Sequence, residues 1–388
     1  MSIDALAQLR KINATSVLPF ARVTVADLLE RLPRAGTVQE NLEGAVAWLV
    51  RAHDATADDG VSYGYSLRGG WKPSYRETSG YIAVTFFRLA EALADAAFAR
   101  RAERICRWLV DVQNADGSFS NPENAGEDGI VFDTGQVLFG LIAAYERTKD
   151  DLFLRTARRA GTWLVTVADS RSRWTRNTYR GIPHVYNSRT AWALLRLHTV
   201  TPDADFVRVA RANLDFALEN QVASGFFEQC AFETGAVPFT HTIAYAIRGL
   251  LESSMLLQDD AYRAAAVRAA DAVAGHLKPS GFLPGQIGPD GTAITSYCCL
   301  TGNCQMAIVW AKLANLGVGN EGEQRRRAAT AVRYVMSHQN LRTRDPNVRG
   351  GIKGSHPIWG RYAPFCYPNW ATKFFIDALL PVSDYIDA

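Results

Sequence analysis

The strongest constraint on what this chain can fold into is a pattern that returns six times. A short polar cluster is followed each time by an apolar run at helical spacing. It is clearest in Phe132-Asp133-Thr134-Gly135-Gln136-Val137-Leu138-Phe139-Gly140-Leu141-Ile142. A carboxylate and a hydroxyl directly ahead of such a run mark a helix N-terminus. The openings are Glu77-Thr78, Asp133-Thr134, Tyr186-Asn187, Thr240-His241, Leu300-Thr301 and Pro368-Asn369, with steps of 56, 54, 54, 60 and 68 residues. A period of this size predicts a repeat of helical hairpins. Each unit can bury its apolar face only against its neighbours, which overrides the two or three domains that 388 residues would otherwise suggest.

Between these openings the helices alternate in character. Those that follow the polar clusters are apolar nearly all round, as in Ile82-Ala83-Val84-Thr85-Phe86-Phe87 and Met306-Ala307-Ile308-Val309-Trp310, and such helices are buried. Their partners carry an arginine-rich face, as in Arg155-Thr156-Ala157-Arg158-Arg159 and Arg325-Arg326-Arg327. With the helix over Asn41 to Ala52 there are six of each kind, so the expected fold is all-α: an (α/α)6 barrel of six inner and six outer helices. Residues 1–38, with a short helix near Val25 to Arg31, read as a helical lead-in packing on a toroid over residues 39–388.

Inner-to-outer links are short, near Thr148-Lys149-Asp150, Thr201-Pro202-Asp203 and Gln258-Asp259, whereas outer-to-inner links are long. One rim is therefore bare turns. The other gathers every long loop and all six inner-helix N-termini, and function is expected there.

Composition sets the remaining bounds. A net charge of +3 is too small to argue for nucleic acid or an anionic membrane surface. No stretch approaches the length of a membrane helix, and residues 1–20 lack a basic region followed by a continuous apolar run. The expected location is the cytoplasm, with the six cysteines as free thiols. Oligomeric state stays open, and no phosphate-binding glycine loop or nucleotide fingerprint is present.

Two resemblances enter on the loop rim. Gln113-Asn114-Ala115-Asp116-Gly117-Ser118-Phe119 resembles the repeat of squalene cyclases and protein prenyltransferase β-subunits. The wider arrangement is similar to the six-hairpin glycosidases, whose toroids include unsaturated glucuronyl hydrolases, polysaccharide lyases and sugar epimerases. Gly354-Ser355-His356-Pro357-Ile358-Trp359 and Tyr367-Pro368-Asn369-Trp370-Ala371-Thr372-Lys373 resemble proteins associated with bacterial polysaccharide synthesis and, more faintly, glucuronyl C5-epimerases. The isoprenoid reading lacks the Asp-x-Asp-Asp motif of the cyclases. Cys298, Cys299 and Cys304 offer soft ligands but without zinc-ligand spacing, so no metal or cofactor is expected.

The glycosidase resemblance implies a general acid and a second carboxylate from neighbouring inner-helix openings, and Asp133 and Glu77 match by order. Read from the residues alone, two carboxylates facing one cleft can divide acid and base work, while the plainer reading makes Asp133 and Thr78 helix caps. His241 can exchange a proton near neutral pH. Tyr186, Asn187, Arg189, Asn303, Gln136, His356 and Asn369 supply groups suited to sugar hydroxyls and carboxylates, and Trp71 and Trp359 supply rings for pyranose faces. Arg171, Arg173, Arg176 and Arg180 in one long link, with Arg342, Arg344, Arg349, Lys353 and Arg361 in another, favour an anionic ligand. The expected activity is hydrolysis of an acidic, uronate-containing oligo- or polysaccharide. Elimination or C5-epimerisation of a uronate is the alternative within enzymes. An isoprenoid-handling protein and a non-catalytic saccharide-binding protein are the alternatives outside them.

Overall fold

The computed structural model describes residues 17–29, 36–120, 128–293 and 295–386. In chain order the helices are α1 (Val17–Leu28), α2 (Val38–Asp54), α3 (Arg76–Ala92), α4 (Ala96–Asp111), α5 (Val131–Thr148), α6 (Asp151–Thr166), α7 (Ser188–Val200), α8 (Ala204–Glu219), α9 (Thr240–Leu257), α10 (Asp260–Ala274), α11 (Leu300–Asn315), α12 (Glu321–His338) and α13 (Asn369–Val382). The odd-numbered helices from α3 to α13 each pack against the next, and α13 packs back on α3. The ring is closed. The even-numbered helices α2 to α12 surround it, so the fold is the expected (α/α)6 barrel.

Burial follows the two sequence patterns. In α9 every residue from Thr240 to Ser254 is buried. In α4 the stripe Ala102, Ile105, Cys106, Trp108 and Leu109 is buried while Arg104 and Arg107 face solvent. Each fully buried leucine or phenylalanine contributes roughly 1.5–3 kcal/mol, so a ring of all-round apolar helices forms a continuous core. A close crossing joins α3 and α5, where Gly140 lies against the Gly80 carbonyl and leaves no room for a Cβ.

The short turns stop and restart helices with local chemistry. Lys149 and Gln258 close α5 and α9 in the left-handed conformation. Asp95, Asp150, Asp203 and Asp259 then cap α4, α6, α8 and α10 by accepting from the backbone two residues on.

The long links are tied to the barrel by a repeated device. Gln113 Nε2 donates to the Gly117 carbonyl of its own turn and to Thr156 O of α6. Gln221 does the same with Gly225 O and Ala265 O of α10, and Gln339 with Gly350 O and Asn41 O of α2. The glycines have φ of +96°, +90° and +86°, a conformation open to glycine at little cost. The stretch that resembles the cyclase repeat is therefore a structural staple, and its last copy closes the ring onto the first outer helix.

Two small antiparallel sheets gather the links on the same rim. β1 (Gly64–Ser66) pairs with β2 (Gly70–Trp71) and β5 (Cys366–Pro368), and β3 (Cys298–Cys299) pairs with β4 (Ser355–His356). The lead-in helix α1 packs here, Phe20 stacking on Phe365 and Asp27 accepting from Lys353 Nζ at 2.7 Å. It begins earlier than the expected Val25 to Arg31, and Arg31 lies outside the described residues. No described helix is long and apolar enough to cross a membrane.

Candidate active site

A cavity of about 450 Å³ sits at the inner-helix N-termini, below the long links. Glu77, Asp133, Tyr186 and His241 all line it. Glu77 and Asp133 come from the first turns of α3 and α5, which start at Arg76 and Val131, ahead of the openings expected from the sequence. That earlier start decides between two readings of Asp133. The residue is not a cap: Ile130 holds the cap position, and the Asp133 Oδ2 atom is buried with no hydrogen-bond partner among the described residues. Thr134 does the structural work, its Oγ1 accepting from the Phe119 amide.

Electrostatics separate the groups. Burial raises the Asp133 carboxyl well above the ordinary carboxylate range, and the neighbouring charge of Glu77 raises it further. Burial also pushes Glu77 up to about 7, against the pull of the Tyr75 hydroxyl and the Arg189 guanidinium. The pair therefore retains a proton near neutrality. His241 moves the other way: burial pushes it down to about 3, so the ring is neutral. Its Nδ1–H donates to Gln305 Oε1 at 2.9 Å, which leaves Nε2 as an acceptor. The ring lies between Tyr245 and Tyr362, at centroid distances of 4.4 and 4.9 Å.

Aromatic rings make most of the remaining wall. Tyr75, Tyr179 and Tyr362 line it as loop aromatics, and Tyr81, Tyr245 and Trp370 add rings from the inner helices. Lys72 and Arg361 bring positive charge to the same cavity. Tyr81 and Tyr245 were not expected from the sequence. Each stands four residues after a site residue, Glu77 or His241, on the same face of its helix, and that spacing was the available signal.

The other expected site residues lie outside the cavity lining. Asn303 donates to Gly281 O and Ala331 O and accepts from Cys298 Sγ, pinning a long link to α12. Asn369 donates to Ser62 O and Thr78 Oγ1. Gln136 accepts from Arg189 Nε at 2.6 Å, and both lie below the cavity inside the barrel. Asn187 is buried outside the lining. His356 accepts from Lys353 Nζ and packs at a tilt on His338, with ring centroids 4.0 Å apart. Trp71 donates to Asn347 Oδ1 and packs on Trp48, and Trp359 is exposed away from the cavity. Of the two basic links, only Arg361 reaches the cavity; Arg173 and Arg180 pair with Glu219 and Glu233.

Six buried cysteines carry free thiols, with Cys299 Sγ accepting from the Gly302 amide. Among the described residues no three His, Cys, Asp or Glu side chains gather where they could hold a metal. A larger cleft of about 730 Å³ lies beside α1, but its buried acid and base, Asp27 and Lys353, are already paired with each other.

Structural comparison now bears on this arrangement. The chain superimposes on an unsaturated glucuronyl hydrolase specific for heparin with a TM-score of 0.71, at 13% identity over 90% of this chain and 98% of that one. The unsaturated glucuronyl hydrolase of Bacillus sp. GL1 gives 0.71 at 16% identity, covering 89% and 96%. The cellobiose 2-epimerase of Bacillus thermoamylovorans gives 0.69 at 12% identity, covering 88% and 98%. The (α/α)6 barrel is the fold shared with these structures. No family profile matches the sequence, and no curated protein matches it either. At these identities the likeness establishes architecture, and chemistry has to be argued from the cavity.

Proposed function

We propose that the protein hydrolyses a glycosidic bond in an oligosaccharide that carries an acidic sugar. The observation that carries this reading is the pair Glu77 and Asp133, two carboxyl groups on adjacent inner helices facing one aromatic cavity with their proton retained near neutral pH. Asp133 is the general acid: its proton passes to the departing sugar oxygen as the bond to the anomeric carbon breaks. Glu77, ionised above about 7, accepts the proton of the water that attacks that carbon. His241 holds a sugar hydroxyl on Nε2, and Tyr75, Tyr186 and Trp370 offer faces for the ring.

Acidic sugar is favoured because Lys72 and Arg361 are the cations on the wall, and a guanidinium suits a carboxylate. The superimposed glucuronyl hydrolases support the same substrate class. Six buried free thiols suit a reducing compartment, so we place the protein in the cytoplasm.

The test is incubation with a panel of uronate-containing oligosaccharides in water enriched in heavy oxygen, read by mass spectrometry. Shorter products that carry one solvent oxygen support hydrolysis. Unsaturated products show elimination instead, and intact chains that gain deuterium from heavy water show epimerisation, with neutral His241 as the base. No change across the panel removes the enzymatic reading.

A further inference from the structure

The barrel has a second cavity, of about 230 Å³, opening at the other rim beside the C-terminal turns of α3, α5 and α7. Its walls hold six cations, Arg88, Arg147, Arg189, Arg196, Arg248 and Lys373, against three carboxylates, Glu91, Glu146 and Asp377. Five of the cations have a carboxylate partner. Arg147 pairs with Glu91, and Arg196 with Glu146 at 2.8 Å. Lys373 and Arg88 share Asp377, and Arg248 reaches Glu252.

Arg189 is different. It is 3% exposed and makes one side-chain bond, from Nε to Gln136 Oε1, while Nη1 is buried with no partner among the described residues. Around it stand the rings of Tyr81, Phe139, Trp192, Tyr245 and Phe374, each within 6 Å. Rings ease a guanidinium's loss of water but do not neutralise it, and a buried charge without a counter-charge is costly. The cavity lies beside this guanidinium, which no carboxylate contacts directly and which feels Asp377 and Glu77 only at a distance, and Lys373 and Arg248 line the same space.

We infer that this cavity is a binding site for a small oxyanion of phosphate or sulfate size, seated against the Arg189 guanidinium and flanked by Arg248 and Lys373. It is separate from the cavity of Glu77 and Asp133, with Tyr81 lining both as the wall between them. Burial without a full set of counter-charges also depresses Arg189, to about 10, and Lys373, to about 7. An anion in this cavity answers both.

The test is calorimetric titration of the full chain with inorganic phosphate, ionic strength being held constant with sodium chloride. One site per chain is expected, with sulfate competing for it. Arg189→Gln should weaken binding about tenfold or more, the loss of one charge-assisted contact. Arg88→Gln, on the outer wall, should weaken it about threefold and keeps the test alive if the buried variant does not fold. Arg361→Gln, in the other cavity, should leave phosphate binding unchanged. Absence of saturable heat, equal displacement by chloride, full binding in Arg88→Gln, or loss of binding in Arg361→Gln would each overturn the proposal.

Discussion

Asp133 and Glu77 stand in the first turns of neighbouring inner helices, and the charge of Glu77 helps to keep the proton on Asp133. Replacing Asp133 with Asn separates function from stability. The variant loses the transferable proton, so kcat on an active oligosaccharide should fall at least about 10²-fold while substrate binding persists. The carboxyl is also raised in the folded state relative to the unfolded one. Its contribution to stability is therefore present below the ordinary carboxylate pKa and is lost as pH rises through the folded value. At pH 8 the unfolded chain would release this proton and the fold has to retain it, which is costly, so Asp133→Asn should melt about 2 °C higher than the parent. A fully active variant would sink the assignment of Asp133.

The pair also sets a pH profile. The proposed mechanism needs Glu77 ionised and Asp133 protonated, so on it kcat/KM should rise up to about pH 7 as Glu77 loses its proton. It should fall again at higher pH as Asp133 follows. Glu77→Gln removes the acid limb together with most of the rate. Because the Glu77 charge is gone, the alkaline limb should move to lower pH. Rates measured from pH 4 to 10 check this, and an alkaline limb that stays in place would mean that the two groups are not coupled.

Arg361 is exposed and lies at the cavity, so its effect should be one of selectivity. Arg361→Gln should raise KM for a uronate-ended oligosaccharide about fivefold and leave kcat and the KM of a neutral analogue unchanged. Equal losses on both substrates would remove the carboxylate role. The measurement is a pair of initial-rate curves on matched substrates.

Architecture was legible because the repeat is written in one dimension. All-round apolar helices, arginine-faced partners and long-then-short links recur with a nearly constant period, and burial allows few other arrangements. That Glu77, Asp133, His241 and Tyr186 share one cavity was legible because they stand at inner-helix starts on the long-link rim. What failed was the step from residue type to role. Asn303 and Asn369 carry side chains suited to a sugar, yet each is consumed by backbone carbonyls of a neighbouring link or helix. Arg189 follows the third opening as closely as His241 forms the fourth, but its side chain runs down the barrel into the other cavity. Side-chain direction at a helix start depends on where the first turn begins, and sequence places that only to within a turn.

The glutamine staples predict where the ring opens. Gln339 Nε2 donates to Asn41 O and Gly350 O, joining the last link to the first outer helix. Gln339→Ala removes two buried hydrogen bonds and should cost about 2 kcal/mol in denaturant unfolding. An unchanged unfolding midpoint would show that the ring is held by side-chain packing alone.

Gly140 and Gly80 set the spacing of α3 and α5, the helices that carry Glu77 and Asp133. A Cβ on Gly140 meets the Gly80 carbonyl, which is backbone and cannot swing aside. Gly80 lies one turn after Glu77, and Gly140 lies two turns after Asp133. Gly140→Ala must therefore part α3 from α5 and with them the two carboxyl groups. It should cost about 2 kcal/mol in stability through overpacking. A shift of the pair by a fraction of an ångström should also lower kcat about tenfold or more. Gly322→Ala is the control. It lies in the outer helix α12 with only Asn320 Oδ1 near its added Cβ, at 3.5 Å. It should leave activity unchanged and gain about 0.5 kcal/mol. If Gly140→Ala destabilises without loss of turnover, the α3–α5 crossing supports the barrel but does not position the chemistry.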